Sequence, residues 1–324
     1  MGRFRLNVFS HSTYAVKKPN KKQLTIAYLT PRSDNFWTYS ANIAQAVSKD
    51  LGFKLLWFPA HNSPERYIAN ARKLFLDKNP KVDAVVFKNY NQLGRQVIEW
   101  AEQAQIPVFA IEEGLWEKDR VKYGQPRQKF KYWLGEFLTD DFEGGQILAH
   151  YLIDKAKALG MVDATGKVQM VAITGNPFEG SSLDRVNGFH TILEQRQDVI
   201  LHELVGGYWK QAQGRKRLKQ LLQEYPETKV VWIANDSMAV GAAEAVKAMG
   251  RVPNRDILLS STGAINQGIE PLVAGDTIVA VGGQFLLGGW ACILIYDYLN
   301  GIDFAMESTI MRLSLRVFTP ENVQ

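Results

Sequence analysis

Trp37 and Trp209 both fall in short polar stretches between an apolar run and a helix-like segment. An indole at such a junction either presents its face to a ligand or turns back to cap the core of its own half. The groups that could do covalent or metal chemistry are not arranged for it. Five histidines (His11, His61, His150, His190, His202) show no metal-ligand spacing. There is no Gly-x-Ser-x-Gly nucleophile elbow. The adjacent carboxylates Asp140-Asp141 are not a separated acid–base couple. Gly175-Asn176-Pro177-Phe178-Glu179-Gly180-Ser181-Ser182 has the glycine spacing of a phosphate loop. Ser181 stands where the lysine is needed, however, and Pro177 removes an amide donor. It reads as a helix-capping loop. No catalytic residue, metal site or cofactor is expected.

The elements that position these residues follow from hydrophobic patterning. From Leu24 onward, short apolar runs alternate with amphipathic segments, as in a parallel sheet covered by helices. Expected strands are 24–29, 55–58, 83–87 and 106–111, then a charged pause over 112–131. A second series follows, with strands at 168–174, 199–205, 230–234, 257–261 and 277–281. Its helices begin near Ser182, Gln211, Asp236 and Asn266, and a helix over 286–299 precedes a strand over 309–315. No low-complexity linker separates the halves, so they are expected to be interlaced. In open parallel sheets the ligand crevice lies beyond the carboxyl ends of the strands. That rule selects the loops 31–37, 88–91, 112–114, 175–182, 207–209, 235–236, 261–263 and 282–284.

Composition narrows the class further. The chain has 324 residues, 46% hydrophobic and 22% charged, enough for two domains and a large core. A net charge of +5 is scattered, apart from Lys17, Lys18, Lys21 and Lys22, which read as a solvated tail, so no nucleic acid is expected as a partner. The single cysteine, Cys292, lies in an apolar stretch and reads as a small core residue; no disulfide can form within the chain. No apolar run approaches the ~18 residues of a membrane span. Residues 1–18 lack the apolar segment of a signal peptide. Either the leader is absent from this sequence or the protein is cytoplasmic.

Four motifs, in this order, resemble the type I periplasmic binding proteins of the ribose-binding class. They are Ser33-Asp34-Asn35-Phe36-Trp37, the stretch Thr139 to Gly145, Arg185-Val186-Asn187-Gly188-Phe189, and Ala234 to Gly241. The likeness covers about 24–315 and is especially strong to autoinducer receptors of the LuxP-like kind. It implies an α/β fold: two Rossmann-like, flavodoxin-type parallel-sheet lobes joined by a three-segment hinge near Thr139, Gly283 and Met311. The first lobe would comprise 24–138 plus 284–311, the second 139–283 plus 312–324, with 1–23 as an N-terminal extension. It also implies a periplasmic solute-binding receptor that closes on one small polar ligand (a sugar, an autoinducer-like or an amine-bearing molecule). An ABC permease or a membrane sensor kinase or receptor would read the closed form.

By motif position, Asp34 and Asn35 line the first polar loop, Phe36 and Trp37 stack on the ligand from one lobe, and Trp209 stacks from the other. Arg185 donates a planar fork and Asn235 offers both donor and acceptor. Lys88, Glu112 and Glu113 sit at the ends of their strands. Locally, Arg185 could instead pair with Asp184 or Glu179. Of Asn235 and Asp236, the aspartate is expected to cap the following helix and the asparagine to meet the ligand. Four places depart from the family: the first loop lacks the usual proline before Phe36-Trp37, Glu112-Glu113 replaces the usual Asp-Arg, Thr262 the usual aspartate, and Gly283-Gln284 carries its glutamine one residue late. The acidic pair shifts weight from ribose toward a cationic or donor-rich ligand, unless it is simply solvated at the mouth. The same fold serves as the effector core of lactose-repressor-type regulators, an alternative that needs a DNA-reading segment before Leu24. A Rossmann-type enzyme would need a dinucleotide fingerprint that the chain lacks.

Overall fold

The computed structural model describes residues 23–323. The lysine cluster and nearly all of the expected N-terminal extension lie outside the described residues. The chain runs β1 (Thr25–Thr30), α1 (Asn35–Leu51), β2 (Lys54–Pro59), α2 (Pro64–Phe75), β3 (Ala84–Phe87), α3 (Gly94–Ala104), β4 (Val108–Glu112), α4 (Glu117–Tyr123) and β5 (Trp133–Thr139). It then continues α5 (Asp141–Ala158), β6 (Val168–Thr174), α6 (Gly180–Glu194), β7 (Val199–Gly206), α7 (Gln211–Glu224), β8 (Val230–Ile233), α8 (Asp236–Ala248), β9 (Leu258–Gly263), α9 (Asn266–Val273) and β10 (Val279–Gly282). It ends with α10 (Leu287–Leu299), β11 (Ile310–Leu313) and β12 (Arg316–Phe318).

These form two sheets of one design, ordered β2-β1-β3-β4-β5-β11 and β7-β6-β8-β9-β10-β12. Every pairing is parallel except β10 with β12. Helices cover both faces of each sheet, so the central strands β3, β4, β6 and β8 are buried along their whole length. Local signals set the helix ends. Asp34 accepts from the Trp37 amide to open α1, and Gly52 closes it at φ 77°. Ser63 caps α2 ahead of Pro64. Cys292 is buried in the core beneath α10, where burial pushes its thiol up to about 12.

Three expectations are corrected. The charged stretch after β4 is not a pause, since it contains α4 and leads into β5, a full member of the first sheet. The strand expected over 309–315 is two strands in two sheets. Leu313 still pairs with Thr139, so the third crossing between lobes falls at Ser314-Leu315 rather than at Met311.

Each sheet reverses its winding between its first strand and its third, at β1/β3 and at β6/β8. That is where open α/β sheets leave a crevice. The loops leaving those four strands carry Arg32 and Asp34, Lys88, Glu179, and Asn235-Asp236, and the two crevices face each other.

Candidate functional site

Between the lobes lies a cavity, partly open to solvent, with room of about 50 Å³ for the centres of water-sized molecules. Of the residues expected at the site, Asp34, Phe36, Trp37, Lys88 and Glu112 line it from the first lobe, and Arg185, Trp209, Asn235 and Thr262 from the second. Gln284 lines it at the second crossing. Asn35 and Glu113 are not among the lining residues. Asn35 Nδ2 donates to Gln267 Oε1 of the other lobe at 3.0 Å. Glu113 Oε1 accepts from the Gly180 amide and from Trp116 Nε1, both at 2.9 Å. Both therefore bridge or brace the lobes.

The indoles answer the question of ligand face or core cap differently. Trp37 is 1% exposed, packs edge-on against Tyr28 and Phe36, and still lines the cavity; it serves core and cleft at once. Two guanidinium groups lie over the Trp209 ring, Arg32 at 5.8 Å and Arg185 at 5.6 Å from its centroid. Gly175 is what lets it lie there, because a Cβ at that position would meet the indole at 2.1 Å. Trp209 and Glu112 both hold a left-handed φ, 65° and 67°. For bulky residues this costs on the order of 1–3 kcal/mol each and is characteristic of ligand-contacting positions.

Arg185 pairs with neither local candidate. Its Nε donates to Asp141 Oδ1 at 2.7 Å and its Nη1 to the Ala234 carbonyl at 2.6 Å, which aims the guanidinium edge along the cavity wall. The capping assignment is reversed. Asn235 Oδ1 accepts from the Met238 amide at 2.9 Å and so caps α8. Asp236 turns instead to Ser261 Oγ and the Ile265 amide, and burial raises its carboxyl to about 6. Both still line the cavity.

Several polar atoms on this wall are buried without a hydrogen-bond partner among the described residues: Trp37 Nε1, Thr262 Oγ1 and Gln284 Oε1. A buried polar atom left unpaired costs about 1–3 kcal/mol, so a ligand that supplies acceptors and donors at these points gains what the protein alone forfeits. Glu112 lines the same wall. Burial pushes its carboxyl from the ordinary 4.5 up to about 8, against the pull of Lys88. The acidic pair is thus not solvated at the mouth, since Glu112 and Glu113 are 6% and 7% exposed.

The raised Glu112 value has a signed consequence. The folded protein holds this proton more tightly than the unfolded chain does, so its contribution to stability is complete below pH 4.5 and is lost as pH climbs to about 8. Melting temperatures across that window should fall less steeply for Glu112→Gln than for the parent. Parallel curves would show that Glu112 is already ionised.

Arg32, Glu179 and Asp236 belong to the arrangement from loops that the strand-end rule selects, without being among the expected ligand contacts, and Gln267 joins them from outside every selected loop. Glu179 sits in the loop read as helix-capping, yet its side chain makes no cap to α6. The α6 amide at Gly180 is satisfied from the other lobe, by Glu113. Arg32 stands two residues before Asp34, to which its Nε donates at 2.8 Å; a second charge in the same short loop was the available signal.

A model of the periplasmic binding protein domain matches residues 26–303. The chain belongs to the periplasmic binding protein family. It is 25% identical over 261 residues to the D-apiose import binding protein of Actinobacillus succinogenes, covering 79% of this chain and 74% of that one. It is 24% identical over 235 residues to the ribose import binding protein of Bacillus subtilis, covering 72% and 68%. Among solved structures, a periplasmic sugar-binding protein from Pseudomonas fluorescens superposes with a TM-score of 0.82 at 28% identity, covering 92% of this chain and 88% of that one. As a member of this family, the chain is a binding protein rather than an enzyme. None of these three relatives is named as an autoinducer receptor, a sensor or a transcription regulator.

Proposed function

We propose that this protein is a periplasmic receptor for a small neutral sugar, which it encloses between its lobes and delivers to a membrane ABC permease. The convergence of two indoles and a set of unpartnered buried donors and acceptors, drawn from both lobes, on one cavity carries this reading. Sugars present exactly the two surfaces such a wall complements: apolar C–H faces for the rings, and hydroxyls that both give and accept hydrogen bonds. The names of the relatives, import proteins for apiose and ribose, support the same class. The departure at Glu112-Glu113 does not call for a cationic ligand. Glu113 is taken up by Lys88 and the Gly180 amide, and the raised Glu112 presents an O–H to a hydroxyl oxygen.

Mechanistically, the ligand touches both lobes and so favours the closed form over the open one. Rotation about the three crossings is the motion that periplasmic binding proteins exemplify among hinge closures. A micromolar site corresponds to about −8 kcal/mol, within reach of two ring faces and several hydrogen bonds at otherwise unpaired atoms.

A thermal-shift screen over neutral pentoses, hexoses and polyols should yield a sharp stabiliser, because a ligand bound only to the folded state raises its melting point. Trp209→Ala should weaken that ligand about tenfold or more by calorimetric titration, the loss of about 1.4 kcal/mol of ring contact. No stabiliser among the sugars, or an unchanged titration with Trp209→Ala, would remove the assignment.

A further inference from the structure

Glu179 is fully buried, and its carboxylate is the meeting point of the two lobes. Arg32 Nη1 reaches it at 3.2 Å and Lys88 Nζ at 3.1 Å, both from the first lobe. Trp209 Nε1 at 3.1 Å and Asn176 Nδ2 at 3.2 Å complete its shell from the second. Burial alone would raise this carboxyl, yet Arg32 and Lys88 hold it down at about 2, so it stays charged. Arg32 and Lys88 line the cavity, whereas Glu179 is not among the lining residues. The other cation on the wall, Arg185, is neutralised by Asp141. Every cleft cation therefore already has a carboxylate from the protein, and for Arg32 and Lys88 that carboxylate comes from the opposite lobe.

We propose that Glu179 is an internal counter-anion that sets both the resting conformation and the charge selectivity of the cleft. It engages the first lobe's cations through protein groups alone, which draws the lobes together before a ligand bridges them. It also denies those cations to an anionic ligand, which would have to displace a buried, fully bonded carboxylate. Without its charge, the one carboxylate left near Lys88 Nζ is Glu113 at 3.6 Å, beside the Ser181 hydroxyl at 3.3 Å, and Arg32 is left with Asp34, whose side chain is 36% exposed. The Glu113 bond to Gly180 and the Asn35 bond to Gln267 flank the same closure.

The test uses Glu179→Gln, which keeps one acceptor oxygen to serve both Trp209 and Asn176, with Arg32→Gln and Lys88→Met as companions that remove the other end of each pair. Spin labels on cysteines introduced at the exposed positions Lys73 and Lys219 report the interlobe distance without added sugar; Cys292 is buried and does not compete. All three variants should shift the distribution toward separations longer than the parent's. Distributions identical to the parent's in Glu179→Gln and both companions would overturn the latch.

The selectivity arm rests on the sugar-receptor reading. Against galactose and galacturonate, or another hexose–uronate pair if a different hexose is the stabiliser, Glu179→Gln should move the affinity ratio about tenfold toward the acid, about 1.4 kcal/mol. Adding Lys88→Met should cancel that gain. An unmoved ratio would overturn the selectivity role. A parent that binds no sugar while Glu179→Gln still opens would sink the sugar assignment and leave the latch standing.

Discussion

Arg185→Leu should cost about 3–5 kcal/mol of folding stability, because removing one partner of a buried ion pair strands the other. Arg185 and Asp141 are 5% and 3% exposed, and the guanidinium also satisfies the Ala234 carbonyl. Left alone, Asp141 would carry an unpaired charge at the start of α5. Its carboxyl is already raised by burial and restrained mainly by Arg185. In the variant it should rise further and protonate, so the deficit should shrink as pH falls toward the ordinary aspartate range. Urea denaturation of Arg185→Leu, Asp141→Asn and the double variant separates the terms. The double should recover a large part of the loss, since neither charge remains buried. A double variant no more stable than Arg185→Leu would mean that Arg185 acts by packing alone.

Gly188→Ala should destabilise the second lobe by about 3 kcal/mol, the upper end of what forced overpacking costs. A Cβ at Gly188 would stand 2.0 Å from the Phe142 carbonyl oxygen of α5, and one at Gly145 would stand 2.0 Å from the Arg185 carbonyl oxygen of α6. Two helix backbones are in contact there, and a backbone cannot swing aside as a side chain can. Helix propensity pulls the other way, since alanine in a helix interior is favoured over glycine by about 1 kcal/mol. The sign of the change therefore decides between the effects. A melting point that rose with Gly188→Ala would refute the close-packing account. Gly241, whose Cβ would meet the Gln211 carbonyl at 2.0 Å, does the same between α7 and α8. Gly145, Gly188 and Gly241, in three of the motifs that carried the family likeness, are thus helix-packing residues, while Arg185, Asn235 and Asp236 beside them line the cavity.

What was legible in the sequence was what short-range pattern controls. The strands read as apolar runs because both faces of each sheet are covered, and the loops at their carboxyl ends pointed to most of the cavity wall. The misses share one cause, a partner far away in the chain. β5 was hidden by Gly135 and Glu136 in the middle of its run; Glu136 is fully buried because Arg120, from α4, bonds it at 2.6 Å. Glu179 looked like part of a capping loop because its partners Arg32 and Lys88 lie 147 and 91 residues away. Asn235 and Asp236 are equally able to cap, and only the position of Ser261 and Ile265 on the next strand and loop decides between them.

The adjacency of β11 and β12 bears on how the molecule is made. Only Ser314 and Leu315 separate these strands, yet each supplies the outer border of a different sheet. Along the chain, β5 and β10 therefore precede the strands that shield them, and until those pair each offers an open row of amides and carbonyls. Both sheets therefore stay incomplete until residues 310–318 are in place.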